Sequence, residues 1–268
     1  MLLPRTLSDQ ENTWNLEHGA PFGFASTRRT LLQRITSRPG EDRALRDAGP
    51  FGLQRNSDTR TGEYPWAFHQ VAPLVGLDVV EIGGSLSGFQ FSLSKQGARV
   101  VNVDPGRDEE ARWGSTLPFT IETMTRLNRV FSTSVELRNC TLTNAQFASN
   151  SVDRIVSIST IEHIAPIDLP DLAREFRRIL RPGGRCVLTI DLFLDLQPFT
   201  DADENVWGRN IDIQRFIADS GLTLVTGETN RLNGFADFDP IGVLSDLSHV
   251  RIGSTYPVCV QALVLEKP

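Results

Sequence analysis

Residues 79–104, VVEIGGSLSGFQFSLSKQGARVVNVD, decide the fold of this chain. The apolar run at 79–82 is typical of a parallel strand that is covered on both faces. A glycine-rich turn follows at 83–88, and residues 89–96 then fit a helix that a glycine ends. Residues 100–103 form a second apolar strand. The stretch therefore predicts half of a nucleotide-binding βαβ unit.

The remainder of the chain predicts further strands and helices in alternation. Expected strands lie at 135–138, 154–159, 185–192, 222–226 and 257–266. Expected helices lie at 26–35, 119–131, 169–180 and 213–220. A further helix is expected to begin with Pro65 at its first helical position. Together with the opening stretch, this alternation predicts an α/β fold: a Rossmann-like, doubly wound, mostly parallel seven-stranded sheet with helices on both faces.

Patterning also suggests how the chain is organised. Residues 1–62 have little periodicity but keep several aromatic side chains, so we expect an N-terminal arm that packs over the domain as a lid. Residues 63–268 form the expected domain, with the cofactor half at 63–192. The stretch 230–255 is longer than an ordinary connection, which predicts a functional segment or an insertion. We expect it and residues 193–210 to form insertions on the substrate side.

Composition excludes several classes of function. The chain has 268 residues, a net charge of −6 and a pI near 5.3, whereas a nucleic-acid partner normally requires a basic face. Three widely separated cysteines fit a reducing compartment, and neither a disulfide framework nor a zinc site. No apolar run approaches the ~20 residues that span a bilayer, and the N-terminus does not resemble a signal peptide. We therefore expect a cytoplasmic protein with no membrane partner; its oligomeric state stays open.

The turn itself limits the ligand. Gly83 and Gly84 allow close approach of the backbone. Asp104 lies 21 residues after Gly83, the spacing of a carboxylate that binds ribose hydroxyls. The alternative is that Asp104 only forms a turn before Pro105.

Two features argue against a dinucleotide. Ser85 stands where the G-x-G-x-x-G pattern has its middle glycine, which lets a pyrophosphate approach. A carboxylate at Glu81 would repel a pyrophosphate but suits an ammonium or sulfonium group. The turn therefore favours a cationic nucleoside over NAD.

Four motifs in this order resemble those of the class I S-adenosylmethionine-dependent methyltransferases, in their small-molecule subgroup. They are VVEIGGSLSG at 79–88, with serines at 85 and 87 where the family usually has glycine; VD at 103–104; SVDRIVS at 151–157 continuing to IEHI at 161–164; and FRRILRPGG at 176–184. The resemblance implies S-adenosylmethionine as cofactor, bound beyond the carboxyl ends of the strands.

The cofactor-binding residues that follow from the resemblance come from several strand ends. CTL at 140–142 stands where the family often has an acid that contacts the adenine amine. Tyr64 joins the set because an aromatic face attracts a sulfonium, although its alternative role is packing. The set is Tyr64, Glu81, Gly83, Gly84, Ser85, Ser87, Gly88, Asp104, Pro105, Thr141, Leu142, Ser159 and Thr160.

Methyl transfer needs a general base only when the acceptor is protonated. His163 is the candidate, since histidine titrates near neutral pH; its alternative is a structural histidine at a helix start. His69 is second, on the expected exposed side of its helix. Acids from Asp191 to Glu204 could bind magnesium, but without fixed ligand spacing a solvated loop is the better account, and no metal is expected.

The sequence as a whole predicts an enzyme, a methyltransferase acting on a small-molecule or glycan-like acceptor at oxygen or nitrogen. Aromatic residues of the insertions could wall its substrate pocket or simply fill insertion cores: Phe193, Phe199, Trp207, Phe235 and Phe238. The alternatives are an NAD-linked oxidoreductase and a non-catalytic nucleoside-binding module on the same fold.

Overall fold

A computed structural model describes residues 1–18, 41–53, 56–106, 117–254 and 256–268. The helix expected at 26–35 lies outside the described residues. Within them, no helix is both long and apolar enough to cross a bilayer.

Seven strands form a single sheet in the order β3-β2-β1-β4-β5-β7-β6. Their bounds are β1 Asp78–Ile82, β2 Arg99–Val103, β3 Glu136–Arg138, β4 Val152–Ile158, β5 Leu180–Phe193, β6 Thr223–Thr226 and β7 Val258–Glu266. Pairing is parallel from β3 through β5, and β7 runs antiparallel to both β5 and β6. The predicted fold class is confirmed.

Helices cover both faces of the sheet. Their bounds are α1 Asp9–His18, α2 Glu41–Ala48, α3 Arg60–Val71, α4 Gly88–Lys95, α5 Ile121–Phe131, α6 Leu169–Ile179, α7 Ile213–Ser220 and α8 Pro240–Ser245. Neighbouring residues of β1 show the two faces, because Val79 packs in the core that includes Phe89 and Val80 packs in the core that includes Phe176. This alternation is the two-residue period of a strand buried on both sides.

The predicted start of α3 is wrong. The helix begins at Arg60, and Pro65 lies inside it. A proline within a helix leaves the carbonyl four residues earlier without its usual donor. Here that carbonyl belongs to Thr61, and the side-chain amide of Asn15 donates to it at 3.0 Å. Contact with α1 thus compensates for the missing bond.

The first residues of the chain extend the sheet. Leu2 forms a bridge with Gln261 of β7, and the Leu3 amide donates to the Val260 carbonyl at 2.9 Å. Leu3 is buried in the same core as Phe89. The start of the expected arm is therefore an ordered part of the domain.

Candidate active site

A cleft of about 440 Å³ opens at the carboxyl ends of β1 to β4. Such a position is where open α/β sheets bind their ligands. Every sequence-predicted site residue except Gly88 lines it: Tyr64, Glu81, Gly83, Gly84, Ser85, Ser87, Asp104, Pro105, Thr141, Leu142, Ser159, Thr160 and His163.

The glycine turn is packed too tightly for larger residues. Gly83 has a φ of +68°, and a Cβ on it would lie 2.2 Å from Cγ2 of Thr160. The Gly84 amide donates to Oδ1 of Asn102 at 3.2 Å. The turn is thereby held to β2 through Asn102 and lies close against Thr160 at the end of β4.

The two serines of the turn have different roles. Ser85 takes the left-handed conformation, with φ +44°, and its amide donates to Oδ2 of Asp104 at 2.9 Å. Ser87 is extended, and its hydroxyl donates to Oε1 of Glu81 at 3.0 Å. Only Ser85 thus adopts a backbone conformation that favours glycine.

Glu81 is 2% exposed, and its Oε2 has no hydrogen-bond partner in the described part of the chain. Burial raises the pKa of this carboxyl to about 8, against the bond from Ser87 and with a further rise from Asp104. The charged carboxylate that the sequence suggests at Glu81 is therefore not the dominant form in the free protein. Burial keeps Glu81 mostly neutral at pH 7 until a cation lies beside it.

Asp104 is held at the end of β2 by its neighbours. Its Oδ2 accepts from Ser85, and its Oδ1 accepts from the Gly106 amide at 2.8 Å. Asp104 also lines the cleft. This geometry is compatible with both the ribose role and the turn role.

The end of the cleft at β3 has a mixed lining. Leu142 is buried, and Thr141 precedes the single helical turn at Leu142–Asn144. Asp168 and Asp171, at the start of α6, line the cleft as well. Carboxylates therefore do reach this cleft, although the loop after β3 lacks one.

Gly88 lies outside the cleft lining. Phe51 occupies the space beside it, where an added Cβ would lie 2.5 Å from the phenyl ring. Its expected role in cofactor binding has no support in this geometry. Close packing of α4 against Phe51 explains the glycine instead.

Tyr64 lines the cleft and is also packed in the core, so its position is compatible with both of its alternative roles. Its ring stacks on Phe89 with centroids 5.4 Å apart, and its hydroxyl donates to Oδ1 of Asn56 at 3.1 Å.

The cleft wall also contains polar residues that the sequence did not single out, among them Asn56, Ser57 and Arg60. Nη1 of Arg60 lies 2.5 Å from Oε2 of Glu63. Burial lowers the pKa of the guanidinium, but the Glu63 carboxylate more than offsets this and raises it. The Arg-x-x-Glu spacing at 60–63 could have indicated a helical ion pair, but the helix was expected to start later.

The two histidines differ in position. His163 lines the cleft, within a single helical turn at Ile161–His163. His69 does not line it; the ring is half-buried, and its Nδ1 lies 3.1 Å from the Gln10 amide nitrogen. Of the two candidate bases, the geometry keeps only His163.

Asp191 is not part of a solvated loop, and that expectation is wrong for this residue. It is 1% exposed at the end of β5, and its Oδ1 accepts from the Ser159 hydroxyl at 3.0 Å. Burial, followed by repulsion from Glu63, raises the pKa of Asp191 to about 6. Across the described ranges no group of three or more potential metal ligands is found.

The aromatic residues of the insertions fill local cores and do not line the described cleft. Phe193 packs with Leu196 and Val258, and Phe199 meets Phe238 edge to face. Phe235 packs against the core on the α6 face, while Trp207 stacks on Tyr256. The structure favours the alternative that they are insertion cores.

Comparison with known proteins points to one class. Residues 80–188, which are less than half of the chain, match a family model described as a methyltransferase domain. The four motifs and the sheet order of this region agree with a class I S-adenosylmethionine-dependent methyltransferase domain. The cofactor of that class is S-adenosylmethionine.

Individual relatives are more distant. A curated ubiquinone biosynthesis O-methyltransferase of Agrobacterium fabrum is 30% identical over 112 residues, which are 42% of this chain and 40% of that protein. The match thus spans only two fifths of the relative's length.

Solved structures show the fold alone at their low identity. Geranyl diphosphate C-methyltransferase from Streptomyces coelicolor A3(2) is 13% identical, with a TM-score of 0.53 over 91% of this chain and 100% of that one. The (4+2)-cyclase SpnF is 14% identical, with a TM-score of 0.52 over 78% of this chain and 82% of that one.

Proposed function

We propose that this chain transfers a methyl group from S-adenosylmethionine to a small-molecule or glycan-like acceptor, at oxygen or nitrogen. One observation carries the proposal. Asp104 and the buried Glu81, with its unpartnered oxygen, line one cleft at either side of the glycine turn. A nucleoside that carries a positive charge satisfies both groups at once.

The cleft residues fit the parts of this cofactor. Asp104 would accept from the ribose hydroxyls, and Leu142 would provide an apolar contact for adenine. Glu81 would face the ammonium or the sulfonium. Arg60 is the buried cation of the cleft wall and would pair with the carboxylate of the cofactor. The bound cofactor supplies an activated methyl group, and the protein supplies its alignment with the acceptor.

The acceptor would enter beside the carboxyl end of β4, where His163 lines the cleft. We propose that residues 1–62 close this side, because Asn56, Ser57 and Arg60 already form part of the wall. We also propose a cytoplasmic location, because the three cysteines are free and well separated.

A product assay tests the activity. The protein is incubated with S-adenosylmethionine and a panel of phenols, sugar alcohols and amines, and S-adenosylhomocysteine is measured by mass spectrometry. We expect acceptor-dependent product with at least one class of hydroxyl or amine. No product with any class, together with no binding of the cofactor, would contradict the proposal.

Two controls separate the alternatives. A change in the absorbance of reduced nicotinamide with candidate alcohols would identify an oxidoreductase. Binding of S-adenosylhomocysteine without turnover of any acceptor would identify a nucleoside-binding module.

A further inference from the structure

Ser159 contacts two buried carboxyl groups beneath the cleft. Its hydroxyl lies 2.8 Å from Oε2 of Glu63 and 3.0 Å from Oδ1 of Asp191. A hydroxyl has one proton and cannot donate to both oxygens at the same time. The Ser159 proton can therefore point to the Glu63 carboxyl or to the Asp191 carboxyl.

Charge balance assigns the two carboxyls different states. Arg60 pairs with Glu63, and Thr189 also donates to Oε2 of Glu63 at 2.8 Å. Burial raises the pKa of Glu63, but Arg60 outweighs it and lowers that pKa, so Glu63 stays ionised. Asp191 forms no ion pair with any described residue, and the effect of Arg60 on it is smaller than that of burial, so Asp191 is the carboxyl of the pair that takes up a proton.

The other titratable groups around Asp191 come from three elements. Glu162 follows β4 and is fully buried, and its Oε2 has no partner among the described residues. Burial, then Asp191, raises the pKa of Glu162 well above its usual value. Tyr256 precedes β7 and Cys259 lies on it; burial and Asp191 raise both of their pKa values. None of these three adds a positive charge.

The group lies at the correct end of the cleft for the reacting centre. Ser159 lines the cleft directly after β4, and Asp104 lies after β2, on the opposite side of β1. If Asp104 binds the ribose, the amino-acid end of the cofactor extends toward β4 and Ser159.

A path also leads away from the cleft. The Tyr256 hydroxyl donates to Oδ2 of Asp191 at 3.1 Å. The Tyr256 ring is half-buried and stacks on Trp207, with centroids 4.9 Å apart. Ser159, Asp191 and Tyr256 thus form a continuous hydrogen-bonded chain from the cleft to the partly exposed rim.

We propose that Ser159, Asp191 and Tyr256 form a proton relay that removes the proton of a hydroxyl or ammonium acceptor during methyl transfer. The relay rests on the proposed function. The acceptor proton passes to the oxygen of Ser159, while the Ser159 proton passes to Asp191. The acceptor lone pair, which an ammonium gains when this proton leaves, forms the bond to the methyl carbon, and the carbon–sulfur bond breaks with its pair going to sulfur. Asp191 then passes its proton to the oxygen of Tyr256 as the Tyr256 hydroxyl proton passes to solvent.

Kinetics test the relay with the acceptor that the product assay identifies. Wild-type rates should rise with pH through about 6, as Asp191 ionises. In Asp191→Asn we expect a loss of about 10²–10⁴-fold in kcat, no such rise with pH, and affinity for S-adenosylhomocysteine within about twofold. Ser157→Ala, which truncates a buried serine earlier on the same strand, should keep the wild-type rate and profile.

Infrared spectroscopy of the protein alone supplies an independent test. A band of a protonated carboxyl should titrate near pH 6 in the wild type, disappear in Asp191→Asn and persist in Ser157→Ala. The relay is overturned if Asp191→Asn keeps the wild-type band, or keeps the wild-type rate and pH profile. Failure of the proposed function looks different, because the wild type then turns over no acceptor, whether or not it binds S-adenosylhomocysteine.

Discussion

Glu81 illustrates how a single residue can combine a stability cost with a binding role. It lies on a strand buried on both faces, yet it carries a carboxyl with one unpartnered oxygen toward the cleft. Charged groups without partners are rarely buried. In the protein without ligand, the neutral form of the Glu81 carboxyl is the more stable one. A cationic ligand beside it would favour the charged form.

Replacing Glu81 with Gln should therefore raise stability in a pH-dependent way. Because the folded-state pKa is raised from 4.5 to about 8, the stabilising contribution of the protonated carboxyl is complete below about pH 4.5 and is lost as the pH rises through about 8. Above this pH range, we expect the free energy of unfolding of Glu81→Gln to exceed that of the wild type by up to about 5 kcal/mol. Near pH 5 the difference should be much smaller. Denaturant unfolding at a series of pH values measures this difference. Parallel curves of unfolding free energy against pH for both proteins would contradict the account. The control is Glu122→Gln, because Glu122 is exposed.

Ser85 provides a second residue-scale prediction. Glycine at this position relieves the left-handed conformation, which costs a serine ~1–2 kcal/mol, but makes the unfolded chain more flexible. Ser85→Gly should therefore raise the free energy of unfolding by less than about 1 kcal/mol and keep the affinity for S-adenosylhomocysteine, because its observed turn bonds use backbone atoms. Ser87→Gly, which loses the bond to Glu81, should be less stable than wild type. An equal loss of unfolding free energy in both variants would argue against the different roles assigned to the two serines.

At the scale of elements, local patterns predicted most of the molecule. The glycine turn and the spacing to Asp104 sufficed to place both in one cleft. The buried group of Ser159, Glu63 and Asp191 could not be predicted, because Ser159 meets carboxyls that are 96 and 32 residues away in the chain. Helix α3 was misplaced because a proline normally starts a helix, and only contact with Asn15 from α1 makes Pro65 acceptable inside one.

The early start of α3 places Arg60 beside Glu63, and this pair gives an element-scale prediction. Removing one partner of a buried ion pair leaves the other charge uncompensated and costs about 3–5 kcal/mol. Arg60→Met should lower the free energy of unfolding by that amount, as measured with urea. Adding Glu63→Gln should recover part of the loss; a single variant within about 1 kcal/mol of wild type would show that the pair is not buried as described.

For the whole molecule, the first residues of the chain are part of the sheet, because they pair with β7 and seal its edge. Sequence patterning could not predict this pairing, since four residues show no strand period and their partner lies at the opposite end of the chain.

Leu3→Ala measures how much this segment contributes. Leu3 is 1% exposed, and removing a buried leucine costs about 2–5 kcal/mol. The matched control is Leu16→Ala in α1, since Leu16 is 86% exposed and surface changes stay within about 0.5 kcal/mol. Thermal and urea unfolding should separate the two variants clearly; equal stabilities would mean that the N-terminal segment does not hold the sheet.

Calorimetry with S-adenosylhomocysteine tests the central claim most directly. Because each hydrogen bond to a charged group contributes about 1.5–3 kcal/mol, Asp104→Ala should raise the Kd by about 10–100-fold. Asp104→Asn, which keeps one acceptor oxygen in the turn, should fall between that variant and wild type, and exposed Asp203→Ala should bind as wild type. Binding by the wild type with this order of affinities is the predicted result; no heat with the wild type, or one Kd for wild type and for a folded Asp104→Ala, would contradict the account.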